Sequence, residues 1–249
     1  MFKYAVLALM TVLAGCASSA TNVSSTIAPA ADWRYPTIWE EGGASAVIRN
    51  LGTGACALLD IPDFDDELEV AMLPRRRLPP PEQRDQVDRP PRILIERFAA
   101  VLDVPADKDA PAERVAIIVP RHFSSDFYSI PRKILFVVNA RAFVSDLQFA
   151  PEPSVLHDWL YAIGVDGDEE DRAFADRVML ASMTRERVTK EARSLAHRAV
   201  VKGGEAGHGN PEEMRFFHPH EAELVDRLDL TDDERSEIRQ LSFCRRPIA

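Results

Sequence analysis

Apolar residues fall in short runs over the first half of the chain and recur at helical spacing over the second half. Runs rich in β-branched and aromatic residues, bounded by Gly, Pro and Asp, predict strands. They lie at residues 45–49, 55–61, 68–73, 92–98 and 114–119. Apolar residues three and four apart predict helices, here at residues 154–163, 166–201, 211–228 and 231–241. The pattern predicts an α+β fold, with a β-rich N-terminal half followed by a helical C-terminal half.

Two segments lack any apolar period. Residues 17–31 are rich in Ser, Thr and Ala, which predicts a flexible tether over residues 16–32. Residues 74–91 are rich in proline and charge, which predicts a solvent-exposed insertion. We expect one α+β domain over residues 33–205 and a helical C-terminal extension over residues 206–249.

The first fifteen residues predict a secretion signal, with one charge at Lys3 and an apolar run over residues 5–13. This run is too short to span a bilayer as a helix. It ends in Leu13-Ala14-Gly15-Cys16, which resembles the lipobox of bacterial lipoproteins at all four positions. The alternative is an ordinary secretion signal followed by an incidental cysteine.

The lipobox resemblance implies that Cys16 becomes the lipid-bearing first residue of the mature protein. Several acyl chains on one residue give stable anchoring, so the membrane is the expected partner, reached through a palmitate-type anchor. Ala17 follows Cys16, and the resemblance then implies the periplasmic face of the outer membrane, since Asp at this position favours the inner membrane.

The net charge excludes one class of function, and the cysteine content raises the question of a disulfide. The formal net charge is −10, so the chain lacks the basic footprint that nucleic-acid binding requires. With Cys16 assigned to lipid, Cys56 and Cys244 remain. An exported protein could join them in a disulfide, or they could be two separate buried thiols, and the sequence leaves both open.

Two motifs carry a family resemblance. The first contains Asp126, Ser129, Pro131 and Arg132, and the second reads Val-Leu-His-Asp-Trp-Leu-Tyr at residues 155–161. Arg172 and Asp176 follow in an Arg-x-x-x-Asp pattern ahead of an apolar helix. In this order the motifs resemble the domain of unknown function 1353 family, over a motif core of residues 117–183. That family occurs in phage tail regions and bacterial genomes, and the resemblance implies membership and no established activity.

The second motif also suggests chemistry. His157 and Tyr161 are four residues apart and share a helix face, while Asp158 lies at the edge of that face. On the next predicted helix Ala173, Asp176, Leu180 and Met183 form one stripe. An unpaired carboxylate on an apolar face is costly, so we expect Asp176 to pair with His157 or Tyr161. An imidazole held in this way can act as a general base.

The arrangement of His157, Asp158, Tyr161 and Asp176 resembles the active site of secreted phospholipases of the A-two type. The resemblance implies that His157 activates water, that Asp158 binds a divalent metal such as calcium, and that Tyr161 and Asp176 orient the imidazole. The glycine-rich calcium loop and the flanking cysteines of those enzymes are absent from this sequence.

Other interpretations of these residues stay open. His157, Tyr161 and Asp176 could form a satisfied buried network that joins two helices. A Ser129, His157 and Asp176 triad is a third alternative, without the elbow motif that usually presents such a serine. The sequence therefore predicts either a hydrolase that cleaves an ester or amide of an envelope component, or a non-catalytic envelope or phage-derived binding module. It specifies no substrate, further partner or oligomeric state.

Overall fold

A computed structural model describes residues 43–62, 64, 66–72, 92–125, 150–204, 207–210, 214–218, 223–225 and 230–248. The predicted signal, Cys16, the tether and the insertion at residues 74–91 lie outside these residues. Among the helices that are described, none is both long and apolar enough to cross a membrane.

The elements follow one another in a mixed order, with most strands ahead of the main helices. The helices are α1 (Ala44–Leu51), a 3₁₀ helix (Ala55–Leu58), α2 (Glu152–Ala162), α3 (Glu169–Arg185), α4 (Lys190–Gly203) and α5 (Asp232–Ser242). The strands are β1 (Val70–Met72), β2 (Arg92–Leu94), β3 (Phe98–Val104), β4 (Glu113–Val119), β5 (Ser124–Ser125), β6 (Phe216–His218), β7 (Glu223–Val225) and β8 (Phe243–Pro247). The predicted α+β class is confirmed.

The main sheet, in the described part of the chain, has the antiparallel order β3-β4-β8. Phe98 is opposite Val119 and Ala116 is opposite Cys244. β8, near the C-terminal end of the sequence, therefore completes a sheet that begins at β3. Every residue of β4 except Arg114 is buried, because helices cover the sheet. A continuous buried run of this kind is typical of a central strand.

The described residues also form two smaller antiparallel sheets. β1, β2 and β5 form one sheet in that order, and β6 pairs with β7. β5 is an edge strand of its sheet, and Ser124 lies opposite Ile93 of β2. Phe123 bridges to Phe216 and its ring packs edge-on against Trp159 with centroids 5.0 Å apart. These contacts hold Ser125 close to α2.

The predicted strands at residues 45–49 and 55–61 are wrong. The first segment is α1 and the second contains the 3₁₀ helix. Ala46, Val47 and Leu51 are buried, a spacing that suits one helix face better than an alternating strand. The helix lies between Gly43 and Gly52, which both have positive φ, a backbone conformation that glycine adopts at little cost.

The long helix predicted over residues 166–201 is two helices, α3 and α4, separated at residues 186–189. Arg187 adopts a φ of 58° there, without the Gly or Pro that usually marks such a break. The single helix predicted over residues 211–228 is wrong, because β6 and β7 lie in the described parts of this segment. The helix predicted at residues 231–241 is confirmed as α5, which begins with a complete capping box at Thr231 and Glu234.

The C-terminal segment is built into the fold. Ile238 of α5 is fully buried in the main core. Cys244 of β8 is joined to Cys56 of the 3₁₀ helix by a disulfide, with the two Cα atoms 4.9 Å apart and a sequence separation of 188. Residues 206–249 therefore supply the third strand of the main sheet, a core residue and a cross-link to the preceding part of the chain.

Candidate functional site

Helix α2 presents the two aromatic members of the site. His157 and Tyr161 are one helical turn apart, and their rings lie with centroids 4.0 Å apart. The opposite face is anchored by Leu156, Trp159 and Leu160, which are at most 3% exposed. Because α2 is buried on nearly all sides, its polar side chains need internal partners.

Helix α3 supplies the first of those partners. Its start is fixed by Asp168, whose side chain accepts hydrogen bonds from the backbone N–H groups of Glu170 and Asp171, each at 3.0 Å. Asp168 therefore caps the helix, and the acidic first turn that follows it suits the helix dipole. Two turns further on, Asp176 is 3% exposed. The stripe predicted on this helix is partly wrong, because Ala173 is exposed to solvent.

Asp176 binds both aromatic side chains through one oxygen. Its Oδ1 lies 3.0 Å from His157 Nε2 and accepts a hydrogen bond of 2.8 Å from the Tyr161 hydroxyl. A Cβ atom at Gly204 would collide with that hydroxyl, so the glycine that directly follows α4 leaves room for Tyr161. The shared carboxylate oxygen fixes the orientation of the imidazole ring.

The second ring nitrogen faces Asp158. His157 Nδ1 lies 3.8 Å from Asp158 Oδ1, a distance for an ion pair rather than a hydrogen bond. Asp158 Oδ2 accepts a hydrogen bond of 2.5 Å from the Ser125 hydroxyl. The side chain of Asp158 is 29% exposed, compared with 4% for Asp176, so the Nδ1 edge of the ring is the edge nearer to solvent.

The electrostatics of the His157 cluster (Ser125, His157, Asp158, Tyr161 and Asp176) favour a charged imidazole. Burial by itself lowers the pKa of His157, but the Asp158 and Asp176 carboxylates outweigh it and raise the pKa to about 9. Burial and the neighbouring Asp176 also raise the pKa of the Tyr161 phenol, so this hydroxyl stays protonated and donates to Asp176. Near neutral pH the site holds an imidazolium between two carboxylates.

A second buried network adjoins the first. Asp171 binds Arg239 of α5 in a two-pronged ion pair and lies 3.4 Å from His208 Nε2. The His208 ring packs edge-on against Tyr161 with centroids 5.2 Å apart. Burial lowers the pKa of His208 even though Asp171 opposes the shift. The network ties α5 to the helices that carry the site.

The residues near Asp158 give a poor match to the calcium site implied by the phospholipase resemblance. Calcium takes six to eight oxygen ligands, and Asp158 and Ser125 contribute a carboxylate and one hydroxyl. The part of the chain that the structure describes contains no group of three or more His, Cys, Asp or Glu side chains able to hold a metal ion. These donors do not fit calcium.

The remaining motif residues divide into two groups. Arg172 lies one turn before Asp176 on α3, where it pairs with Glu169 and donates to the Val201 carbonyl at 3.4 Å. It is not hydrogen-bonded to His157, but its charge opposes the upward shift of the Tyr161 pKa. Asp126, Ser129, Pro131 and Arg132 lie outside the described residues. Sequence reasoning missed the part played by Ser125, since a serine in a short edge strand carries no distinguishing pattern.

Comparison with known proteins identifies one segment of the chain. Residues 102–200 match the model of the DUF1353 family, described as a protein of unknown function. The matched segment runs from β3 to α4 and contains every member of the His157 cluster. No curated protein and no solved structure matches the chain. Residues 102–200 are therefore a DUF1353 domain.

Proposed function

We propose that this DUF1353 domain is a hydrolase in which His157 is the general base. The observation that carries the proposal is the double hydrogen bond to Asp176 Oδ1, from His157 Nε2 at 3.0 Å and from the Tyr161 hydroxyl at 2.8 Å. The hydrogen bond to Asp176 occupies His157 Nε2 and fixes the orientation of the imidazole ring. His157 Nδ1, on the more exposed side next to Asp158, is then the nitrogen available for proton transfer.

The reaction follows from this geometry. Neutral His157 takes a proton from water at Nδ1 while the water oxygen attacks the carbonyl carbon of an ester or amide. The imidazolium that forms is stabilised by Asp176, and it returns the proton to the leaving oxygen or nitrogen as the carbonyl–heteroatom bond breaks. Tyr161 holds Asp176 in place, so its hydroxyl positions the carboxylate and takes no part in proton transfer.

The substrate class rests on the predicted export of the chain. The lipobox-like sequence at residues 13–16 supports anchoring at Cys16 on the periplasmic face of the outer membrane, where the substrate would be an ester or amide of an envelope component. Feeding cells a palmitate analogue should label the wild-type chain and leave Cys16→Ala unlabelled. Equal labelling of the two would contradict the anchor.

Hydrolysis can be measured on the full chain carrying Cys16→Ala, which avoids detergent. Suitable probes are p-nitrophenyl butyrate, a p-nitroanilide, and vesicles of phosphatidylethanolamine and phosphatidylglycerol. At pH 9 we expect product release from at least one probe, and His157→Asn should lower the rate about 10²- to 10⁴-fold, the usual contribution of a general base. Asp176→Asn should also lower it, because the ring loses its fixed orientation.

Asp109→Asn is the matched control for Asp176→Asn, since Asp109 has a side chain that is 73% exposed and pairs only locally with Lys108. It should hydrolyse the probe at the wild-type rate. Far-UV circular dichroism of each variant separates lost chemistry from lost folding. Equal rates for folded His157→Asn and wild type, or no release above the buffer rate on any probe, would contradict the proposal.

A second candidate function is a non-catalytic binding module in which the cluster joins α2 to α3. It is favoured by the burial of His157, which is 7% exposed, and by its pKa of about 9, which leaves the ring charged at neutral pH. In that case His157→Asn and Asp176→Asn would change stability and leave every hydrolysis rate at the buffer value.

A further inference from the structure

A groove of about 780 Å³ opens between β3, the C-terminal half of α3 and one face of α4. This volume lies within the range of small-molecule sites, about 300 to 1,000 Å³. None of its lining residues belongs to the His157 cluster. The groove begins at Leu180, one turn along α3 from Asp176, and continues away from that residue.

One side of the groove is apolar. Val101, Leu102 and Pro105 line it from β3 and the turn that follows, and Leu180 and Ala181 line it from α3. Val101, Leu102 and Ala181 are at most 8% exposed, so the apolar surface that stays open to water is mainly that of Pro105 and Leu180. Leaving this surface open costs free energy in proportion to its area. A ligand with a hydrocarbon portion would remove this surface from water.

The other side is basic. Lys190, Arg193 and His197 line the groove from α4, and their spacing of three and four residues places them on one helix face. Among the described residues, none of these three side chains has a hydrogen bond or an ion pair. This concentration of unpaired basic groups is unexpected in a chain with a formal net charge of −10, and it complements an anion.

Two further arginines line the groove but are already paired. Arg114 pairs with Asp103 at 3.3 Å, and Arg185 pairs with Glu152, a residue only 8% exposed. Their charges are largely compensated. The uncompensated positive charge of the groove is therefore concentrated on α4, opposite the apolar wall.

The backbone edge of β3 does not favour an added peptide strand. Its Ala99 carbonyl accepts a hydrogen bond from the Asp66 N–H at 3.2 Å, and its Val101 carbonyl accepts one from the Arg185 guanidinium at 3.3 Å. Strand addition depends on free main-chain groups along such an edge. A small amphiphile, which needs no backbone partner, fits the groove better than a peptide.

From this arrangement we propose that the groove binds a single-chain anionic amphiphile, with its acyl chain on the Leu180 wall and its carboxylate or phosphate on Lys190 and Arg193. Arg and Lys hydrogen bonds to anions are charge-assisted and are about twice as strong as neutral ones. The site is independent of the proposed hydrolysis, and either assignment can fail without the other.

The test uses the full chain carrying Cys16→Ala and the fluorescent fatty acid 11-(dansylamino)undecanoic acid. We expect saturable binding that is displaced by palmitate, by lysophosphatidate or by both, which assigns the anionic group as carboxylate or phosphate. Methyl palmitate and inorganic phosphate should not displace the probe. Arg193→Glu should weaken binding at least about tenfold, because it replaces an attractive charge by a repulsive one.

Lys202→Glu is the matched control, since Lys202 is exposed on the same helix and does not line the groove. It makes the same charge change and should leave the probe affinity within about twofold of wild type. Displacement by methyl palmitate or by inorganic phosphate as strong as that by palmitate or lysophosphatidate would overturn the proposal. It would also be overturned by an absence of saturable binding, or by equal affinities of Arg193→Glu and Lys202→Glu.

Discussion

Replacing Asp176 with leucine is expected to lower the free energy of unfolding by about 3 kcal/mol, near the lower end of the cost of removing one partner from a buried ion pair. The His157 ring and the Tyr161 hydroxyl both lose the oxygen that they share. The cost is at the lower end because Asp158 remains beside the ring. Urea unfolding at pH 6.5 measures the difference.

Two companion variants separate polar pairing from shape. Asp176→Asn keeps the shape and one acceptor oxygen and should cost about 1 kcal/mol, the usual net worth of a hydrogen bond. Asp109→Leu alters a largely exposed side chain and should stay within about 0.5 kcal/mol of wild type. Unfolding midpoints of Asp176→Leu and Asp109→Leu that coincide would show that the cluster around Asp176 does not stabilise the fold.

The same cluster gives wild-type stability a pH dependence. The pKa of His157 is raised to about 9 in the folded state, compared with about 6.5 in the unfolded chain. The charged imidazole therefore stabilises the fold fully at pH values below about 6.5, and this stabilisation is lost as the pH rises through 9. The loss should approach about 3 kcal/mol between these limits. It should be much smaller in Asp176→Leu, which lacks one of the two carboxylates that raise the pKa.

Removing the Cys56–Cys244 disulfide is expected to have the largest effect on stability. The bond closes a loop with a sequence separation of 188 residues, and the chain-entropy model gives a stabilisation of about 5 kcal/mol for a loop of this length. The double variant Cys56→Ala, Cys244→Ala should therefore unfold at much lower urea concentration than the wild type. Reduced wild type should unfold close to the double variant.

The control for this experiment is thiol alkylation of the non-reduced chain carrying Cys16→Ala. No alkylatable thiol is expected before reduction and two are expected after it. Two alkylated thiols in the non-reduced protein would contradict the disulfide, and unfolding midpoints that do not differ between oxidised wild type and the double variant would contradict its stabilising role.

The helices around the site could be predicted from the sequence because their signals are local. The spacing of His157 and Tyr161 places them on one helix face, and an Asp at position 176 in an apolar segment needs a polar partner. The acidic residues 168–171 mark the start of α3 through capping and the helix dipole. Each inference needs only neighbouring residues.

Features that depend on distant parts of the chain could not be predicted. Val47 and Ile48 of α1 are β-branched and favour a strand, but packing on the core makes this segment helical. β8 contains Cys-Arg-Arg with no apolar alternation, and its pairing with β4 comes from tertiary contacts. The break at Arg187 and the hydrogen bond from Ser125 to Asp158 have no local signal for the same reason.

The pH dependence of hydrolysis tests most directly whether His157 is a general base. With a pKa of about 9, only about one His157 ring in a hundred is neutral at pH 7. The kcat/KM of the wild type should rise about tenfold per pH unit from pH 6 to 8 and level off near pH 9, while His157→Asn should show no such rise. A wild-type profile that is flat over this range, or one that His157→Asn reproduces, would contradict the assignment of His157 as the base.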